Sequence, residues 1–328
     1  MIARREFITL LGSAAAGWPL AAKAQQAAMP VIGFLSSAFP GRDAGRLNGF
    51  RKGLAEAGYV EGRNVAIEYR WAEDEFDRLP ALADDLARRE IAVIATSGHI
   101  LGALAAKAAT KTIPIVFLTG SDPVALGLVA SLSQPGGNLT GVTTLSVELE
   151  PKRLELLHEV VPKAATIGAL VNPNNPNAGA QSSDIQAAGR ALGVKVYILH
   201  ASTEDDFNGV FDRLDQLQAG GLVIATDGIF ITHSERLGAL AVRHGMPSIF
   251  QFHPFAAAGG LMSYGGSLFE LYRQTGIYAA RILKGEKPGD LPVQQVTRVE
   301  LIINVKTAKA LNLTIPPTLL ARADEVIE

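Results

Sequence analysis

Cysteine is absent from all 328 residues, which excludes a disulfide framework and any thiolate-based metal or redox site. Positive charge is not in surplus either. Thirty Lys and Arg stand against 32 Asp and Glu, a formal net charge of −2, so the chain lacks the basic excess that neutralises a phosphate backbone and nucleic acid is not a partner. Beyond residue 24 no run of about 18 or more purely apolar residues occurs, so no later segment reads as a membrane span. The sequence contains no G-x-S-x-G, no G-x-x-x-x-G-K-[ST], no H-E-x-x-H and no G-x-G-x-x-G, patterns that mark several large enzyme classes. His99, His158, His200, His233, His244 and His253 include no pair at i,i+3 or i,i+4, so no local metal site is signalled. What is present is ordinary: 48% hydrophobic and 19% charged residues, 33 Gly and 17 Pro, the balance of a globular protein long enough for two compact units.

Residues 1–24 read as an export signal. Arg4 and Arg5 precede an apolar run from Phe7 to Ala22, interrupted by Gly12, Gly17 and Pro19, and Ala22-Lys23-Ala24 offers a small-residue cleavage site after Ala24. The run is too short and too rich in Gly and Ala for a bilayer span. Arg4-Arg5-Glu6-Phe7-Ile8 resembles the twin-arginine signal, which carries folded proteins across the bacterial inner membrane, although Ala3 replaces the usual Ser or Thr. The expected location is the periplasm. Cleavage leaves Trp71 as the one tryptophan and makes the mature chain more acidic.

In the mature chain short β-rich runs alternate with helical stretches, the pattern of parallel strands joined by crossover helices. Strands are predicted at Val31–Leu35, Val65–Tyr69, Ala92–Ala95 and Ile113–Phe117, with helices at Asp43–Ala57 and Asp77–Arg89, where leucines recur at helical spacing. An extended Leu139–Thr144 follows Gln134-Pro135-Gly136-Gly137-Asn138. After Pro151 the alternation restarts: helices at Lys152–Val161, Ala178–Leu192, Glu204–Leu217 and His233–His244 separate strands at Thr166–Val171, Lys195–Leu199, Gly221–Ala225 and Ser248–Phe250. A tail adds a strand Leu261–Tyr264, a helix Leu268–Leu283 and an extended Arg298–Asn304. The chain is therefore expected to be α/β, with two Rossmann-like blocks and a boundary near Leu145–Pro151.

Ligands of open parallel sheets bind beyond the carboxyl ends of the strands. Those ends carry Ser36-Ser37, Thr96-Ser97-Gly98, Thr119-Gly120-Ser121-Asp122-Pro123, Asn172-Pro173-Asn174-Asn175-Pro176-Asn177 and Thr226-Asp227-Gly228. Such residues suit capture of a carboxylate by hydroxyls and backbone N–H groups, although helix capping alone accounts for any one of them. Asp227 can hold an ammonium or a hydroxyl-rich ligand, or form a cap or ion pair. Phe250-Gln251 and Tyr264 can form an aromatic wall or belong to the core.

Several segments resemble the bacterial ABC transporter substrate-binding protein family, in particular members that bind tryptophan and related amino acids. They are Arg4-Arg5-Glu6-Phe7-Ile8-Thr9-Leu10-Leu11-Gly12, Pro30-Val31-Ile32-Gly33-Phe34-Leu35, Asp122-Pro123-Val124, Gly136-Gly137-Asn138-Leu139-Thr140-Gly141, Ala258-Gly259-Gly260-Leu261-Met262-Ser263-Tyr264-Gly265 and Leu301-Ile302-Ile303-Asn304. The resemblance implies a periplasmic-binding-protein type I fold: two flavodoxin-like lobes, a three-crossing hinge and a ligand in the cleft between. It places lobe 1 at 30–146 plus 255–292 and lobe 2 at 147–254 plus 293–328, with crossings near Leu145–Glu150, Phe250–Phe255 and Pro292–Arg298. It implies ligand-binding roles for Ser36, Thr96, Ser97, Ser121, Asp122, Asn172, Asn177, Asp227 and Tyr264, to which the strand-end reading adds Ser37 and Phe250. Two positions depart from the amino-acid binders: Gly228 replaces the Asn that commonly follows the matching Asp, and Ser97-Gly98-His99 replaces a Gln-containing loop.

The expected protein is a monomeric solute receptor without cofactor or metal, closing on a small polar or aromatic ligand and presenting it to an ABC permease and its ATPase subunit. Two other classes share the architecture. One is an exported enzyme with Asp122 or Asp227 as acid or base and His99 or His253 as partner; turnover lost on Asp227→Ala marks it. The other is a ligand-sensing domain of a signalling system, marked by copurification with a sensor kinase.

Overall fold

Each strand–helix repeat adds one strand to a parallel sheet, and the chain does this twice. The computed structural model describes residues 29–97 and 99–328; the export signal expected at 1–24 lies outside them. The first block contains β1 (Val31–Ser36), α1 (Ala44–Glu56), β2 (Ala66–Trp71), α2 (Leu79–Ala87), β3 (Val93–Ser97), α3 (Ile100–Ala109), β4 (Ile115–Thr119) and β5 (Leu139–Thr143). The second contains α4 (Glu150–Val160), β6 (Thr166–Val171), α5 (Ala178–Leu192), β7 (Lys195–His200), α6 (Asp206–Gln216), β8 (Leu222–Ile224), α7 (Gly228–Thr232), α8 (Ser234–Arg243), β9 (Ser248–Phe250), α9 (His253–Ala257) and β10 (Met262–Gly265). The tail adds α10 (Leu268–Leu283), β11 (Gln294–Gln295), β12 (Glu300–Asn304), α11 (Val305–Ala310), α12 (Pro317–Leu320) and β13 (Glu325–Ile327).

The sheets run β11-β5-β4-β3-β1-β2 and β13-β12-β10-β9-β8-β6-β7. Counted from their first strands, both blocks follow the doubly wound 2-1-3-4-5 order, whose reversal beside the first strand leaves a crevice at the carboxyl edge. All pairings are parallel except β10 with β12, which is antiparallel. Central strands such as β3, buried at every position, carry apolar side chains on both faces because helices cover both. Each sheet accordingly has two apolar layers, one per face.

Sheet membership corrects the expected lobe boundaries. β10 lies beside β9, pairing Met262 with Ile249, so residues 255–265 complete the second lobe. Only α10 returns to the first lobe, followed by β11, which pairs Gln294 with Val142 of β5. The second crossing is thus at Gly265–Leu268, and the third runs between Gln295 and Glu300, overlapping the expected Pro292–Arg298 stretch but after the expected lobe boundary at 292. The polar, exposed Gln294–Gln295 carries no apolar signal that marks it as a strand, and the glycines before β10 read as a break although the strand fills the next slot in its sheet. In the first lobe α10 packs against α1 at backbone contact. A Cβ on Gly53 would collide with the Arg273 carbonyl, and one on Gly276 with the Phe50 carbonyl, so both positions require glycine.

Candidate functional site

The carboxyl edges of the two sheets face each other, and the loops that leave them meet. Ser36 and Ser37 end β1, and both are buried. The Ser36 hydroxyl accepts from Ala38 N at 3.2 Å and the Ser37 hydroxyl from His99 N at 3.0 Å. His99 caps α3: its Nδ1 accepts from Leu101 N at 3.2 Å. That bond requires a lone pair on Nδ1, so Nε2 carries the proton. Nε2 donates across the cleft to Asp227 Oδ2 at 2.9 Å, with both side chains at most 1% exposed.

Asp227 caps α7 through Ile229 N at 2.9 Å and also accepts from Asn172 Nδ2 at 3.1 Å and Asn175 Nδ2 at 2.7 Å. Burial pushes its carboxyl pKa up, but the His99 imidazole and these hydrogen bonds outweigh that, and the net displacement is downward. Gly228 makes the His99 approach feasible, because a Cβ there would stand 2.9 Å from His99 Cα and Cβ. The sequence departures at Gly228 and at the Ser97–His99 loop are therefore one steric unit.

Three more contacts bridge the lobes. Asn177 Nδ2 donates to Ser121 Oγ at 2.6 Å, Arg46 Nη2 to the Ile231 carbonyl at 3.1 Å, and His233 Nε2 pairs with Asp74 Oδ2 at 2.7 Å. Gly120 also needs its missing side chain: a Cβ would lie 2.9 Å from Thr226 Cγ2 of the opposite lobe. Phe76 belongs to apolar layers of both lobes and lies 4.6 Å from the His99 ring.

Two spaces lie along this interface. A central cavity of about 40 Å³ is lined by Leu118, Thr119, Thr144, Thr226, Gln251 and Tyr272 among others. A groove of about 830 Å³, lined by Arg46 of α1, the α7–α8 turn and the Gly265–Leu268 crossing, adjoins it. Below the cavity Glu150 and Arg153, one turn apart on α4, are both fully buried. Glu150 Oε1 accepts from Thr226 N at 2.6 Å and Gln181 Nε2 at 2.8 Å; burial, only partly offset by Arg153, raises its carboxyl to about 7. Arg153 donates from Nε to the Tyr264 carbonyl at 2.9 Å and from Nη1 to Thr226 Oγ1 at 3.2 Å, while burial lowers its pKa to about 10.

The expected site residues divide accordingly. Ser37, through His99, and Ser121, Asn172, Asn177 and Asp227 form the interlobe network. Ser97 hydrogen-bonds the Tyr272 hydroxyl of α10. Asp122 caps its own turn, accepting from Val124 N at 2.8 Å and Ala125 N at 3.2 Å. Thr96 is buried within β3. Of the two alternatives for the aromatics, both take the core one: Phe250 is fully buried in the second lobe, edge-on to Phe255 at 5.8 Å, and Tyr264 packs on that lobe's other apolar layer. Phe252 takes the interlobe position, in a cluster with Val142 and Leu271. Phe252 lies two residues past the end of β9, where the chain has left the strand, so the loop-end rule that singles out Asp227 points to Phe252. Tyr272, Glu150 and Arg153 lie on helices, where an inspection of strand ends does not look. Away from the cleft residues, Asp212, Asp215 and His244 each bring one ligand atom within 4.8 Å of the others, and Asp215 is already bonded to His244 Nδ1 at 2.7 Å.

Residues 30–327 match the family model for ABC transporter substrate binding proteins. A tyrosine-binding protein of Clostridioides difficile is 30% identical over 269 residues, which cover 81% of this chain and 76% of that protein. Among solved structures, a conserved domain protein from Vibrio cholerae superposes with a TM-score of 0.83 at 28% identity, covering 91% of this chain and 99% of its own. An ABC domain from Streptococcus pneumoniae in complex with L-Trp gives 0.81 at 25% identity with the same coverage. The ligand-free, open structure of a substrate binding protein with adhesive properties from Clostridium difficile gives 0.63 at 28% identity, again covering 91% and 99%. At similar identity, the lobe arrangement here is closer to the ligand complex than to the open form. On sequence and fold together, the chain belongs to the ABC transporter substrate-binding protein family.

Proposed function

We propose that the mature protein is the extracytoplasmic receptor of an ABC importer: it captures a small aromatic or polar solute, an amino acid or related carboxylate, between its lobes and presents the closed form to a permease driven by an ATPase subunit. The observation that carries this reading is the set of buried polar bonds joining loops of different lobes, foremost His99 to Asp227. Such bonds exist only when the cleft is shut. A ligand that touches both lobes adds contacts to that same state and shifts the population toward it. The relatives named for tyrosine binding and for the L-Trp complex support an aromatic solute. No helix of the described residues is long and apolar enough to cross a membrane, and the signal expected at 1–24 supports export. The reading needs no bond-making step, no cofactor and one copy of the chain.

Because the chain has no cysteine, labels at Arg63→Cys and Asp205→Cys report lobe separation without competing thiols. Energy transfer between them is expected to change saturably on adding the cognate solute, which is then recovered intact. Transfer that no solute alters overturns the proposal, as does recovery of a chemically changed compound.

A further inference from the structure

The central cavity and the adjoining groove share Ile231, Gln251, Phe252 and Leu268, and the chemistry at this junction is selective. Asp227 is saturated. Its two oxygens take four protein donors, His99 Nε2, Asn172 Nδ2, Asn175 Nδ2 and Ile229 N, which is about the capacity of a carboxylate. Among the described residues no charged side chain lines the central cavity; the carboxylates Glu235, Glu300 and Glu325 line the adjoining groove instead. Neither sign of charge finds a counter-charge there, but a ligand ammonium would also meet a donor, Gln251 Nε2, where a carboxyl oxygen finds in that donor a hydrogen-bond partner.

The same junction lacks an acceptor. Arg153 can only donate, so Thr226 Oγ1 receives its Nη1–H, and the Thr226 hydroxyl donates in turn to Gln251 Oε1 at 3.3 Å. In this arrangement Nε2 is the other end of the Gln251 amide. Gln251 is 1% exposed, and its Nε2 has no hydrogen-bond partner. A buried donor left unsatisfied calls for an oxygen that the protein does not supply.

Resting on the reading of the interlobe cleft as the ligand site, we infer that the cleft selects an apolar-bodied solute with an oxygen acceptor and no ammonium, of the arylalkanoate class. Gln251 is the specificity-determining donor, and His99 with Gly228 closes Asp227 to amines. Ile231, Phe252, Leu268 and Leu271 surround the apolar body. Titration calorimetry of the mature chain with matched pairs tests this: 3-phenylpropanoate against L-phenylalanine, and 3-(4-hydroxyphenyl)propanoate against L-tyrosine. The members of each pair differ only in the ammonium group.

The ammonium-free members are expected to bind at least about tenfold more tightly, because the bond to Gln251 is common to both members and only the amino acid must strip an ammonium of its water. Gln251→Leu is expected to erase most of that binding without loss of folded signal. The double variant His99→Gln with Gly228→Asn frees Asp227 and is expected to narrow the preference. Equal or tighter binding of the amino acids overturns the inference but leaves the cleft reading intact. So does binding confined to a different class, such as a sugar, read by energy transfer. If no solute changes the energy transfer, the cleft reading fails as well.

Discussion

Arg153→Met removes a buried guanidinium beneath the cleft whose charge offsets part of the cost of burying Glu150. Two hydrogen bonds from a charged donor go with it, to the Tyr264 carbonyl and Thr226 Oγ1. After the methionine side chain recovers part of the packing, the loss is about 3 kcal/mol where Glu150 is neutral. Its carboxyl titrates at about 7 in the folded protein against 4.5 in a free chain. The stability contributed by that raised pKa is complete below pH 4.5 and declines as pH rises through 7, by about 1.4 kcal/mol per unit, because the folded state holds a proton the unfolded state has released. In the wild type the decline ends above pH 7. Without Arg153 the folded carboxyl titrates higher still, and the decline continues. The variant is therefore expected to fall further behind the wild type with pH, by about 1 kcal/mol or more between pH 7 and 8. Urea denaturation followed by far-UV circular dichroism at pH 6, 7 and 8 measures this. A destabilisation independent of pH, or one under about 1 kcal/mol at pH 8, refutes the reasoning. Adding Glu150→Gln to the variant should abolish the extra slope.

Gly53→Ala is expected to destabilise the protein by about 3 kcal/mol, since its methyl meets the Arg273 carbonyl across the α1–α10 contact. Gly209→Ala, on the exposed face of α6 with open space around it, should stabilise by about 0.5–1 kcal/mol. Thermal melts of the pair distinguish close packing from helix propensity. Gly120→Val places a branched side chain against Thr226 of the other lobe and should hold the lobes apart; ligand affinity is expected to fall about tenfold or more while the melting temperature without ligand changes little. Unchanged affinity would show that the lobes need not approach so closely.

The doubly wound blocks were legible because their strands are continuous β-branched runs and their amphipathic helices repeat leucine at helical spacing. Ala178–Leu192 and Leu268–Leu283 form helices at the predicted bounds. Less visible were elements without such a pattern. The alanine-rich α3 has small residues all round and so shows no apolar stripe in the sequence, and β11 is a pair of exposed glutamines. At the site, strand ends identified Asp227, Asn172 and Ser121, whose polar side chains must satisfy one another when the edges meet. Residue type alone could not separate Phe250, which points into its own lobe, from Phe252. Nor could it show that His99, remote in sequence from Asp227, occupies the Asp227 carboxylate, since that depends on how two independently folded sheets are docked.

The contact between α1 and α10 has a consequence for biogenesis. α10 is synthesised after the whole of the second sheet except its last two strands, so the first lobe emerges from the ribosome with one flank of its hydrophobic layer bare, including Phe50 and Leu54. It must wait through the translation of its neighbour before that flank is covered. Such long-range completion slows folding and prolongs exposure of sticky intermediates, and a truncation anywhere before residue 283 would strip the first lobe as well as the tail.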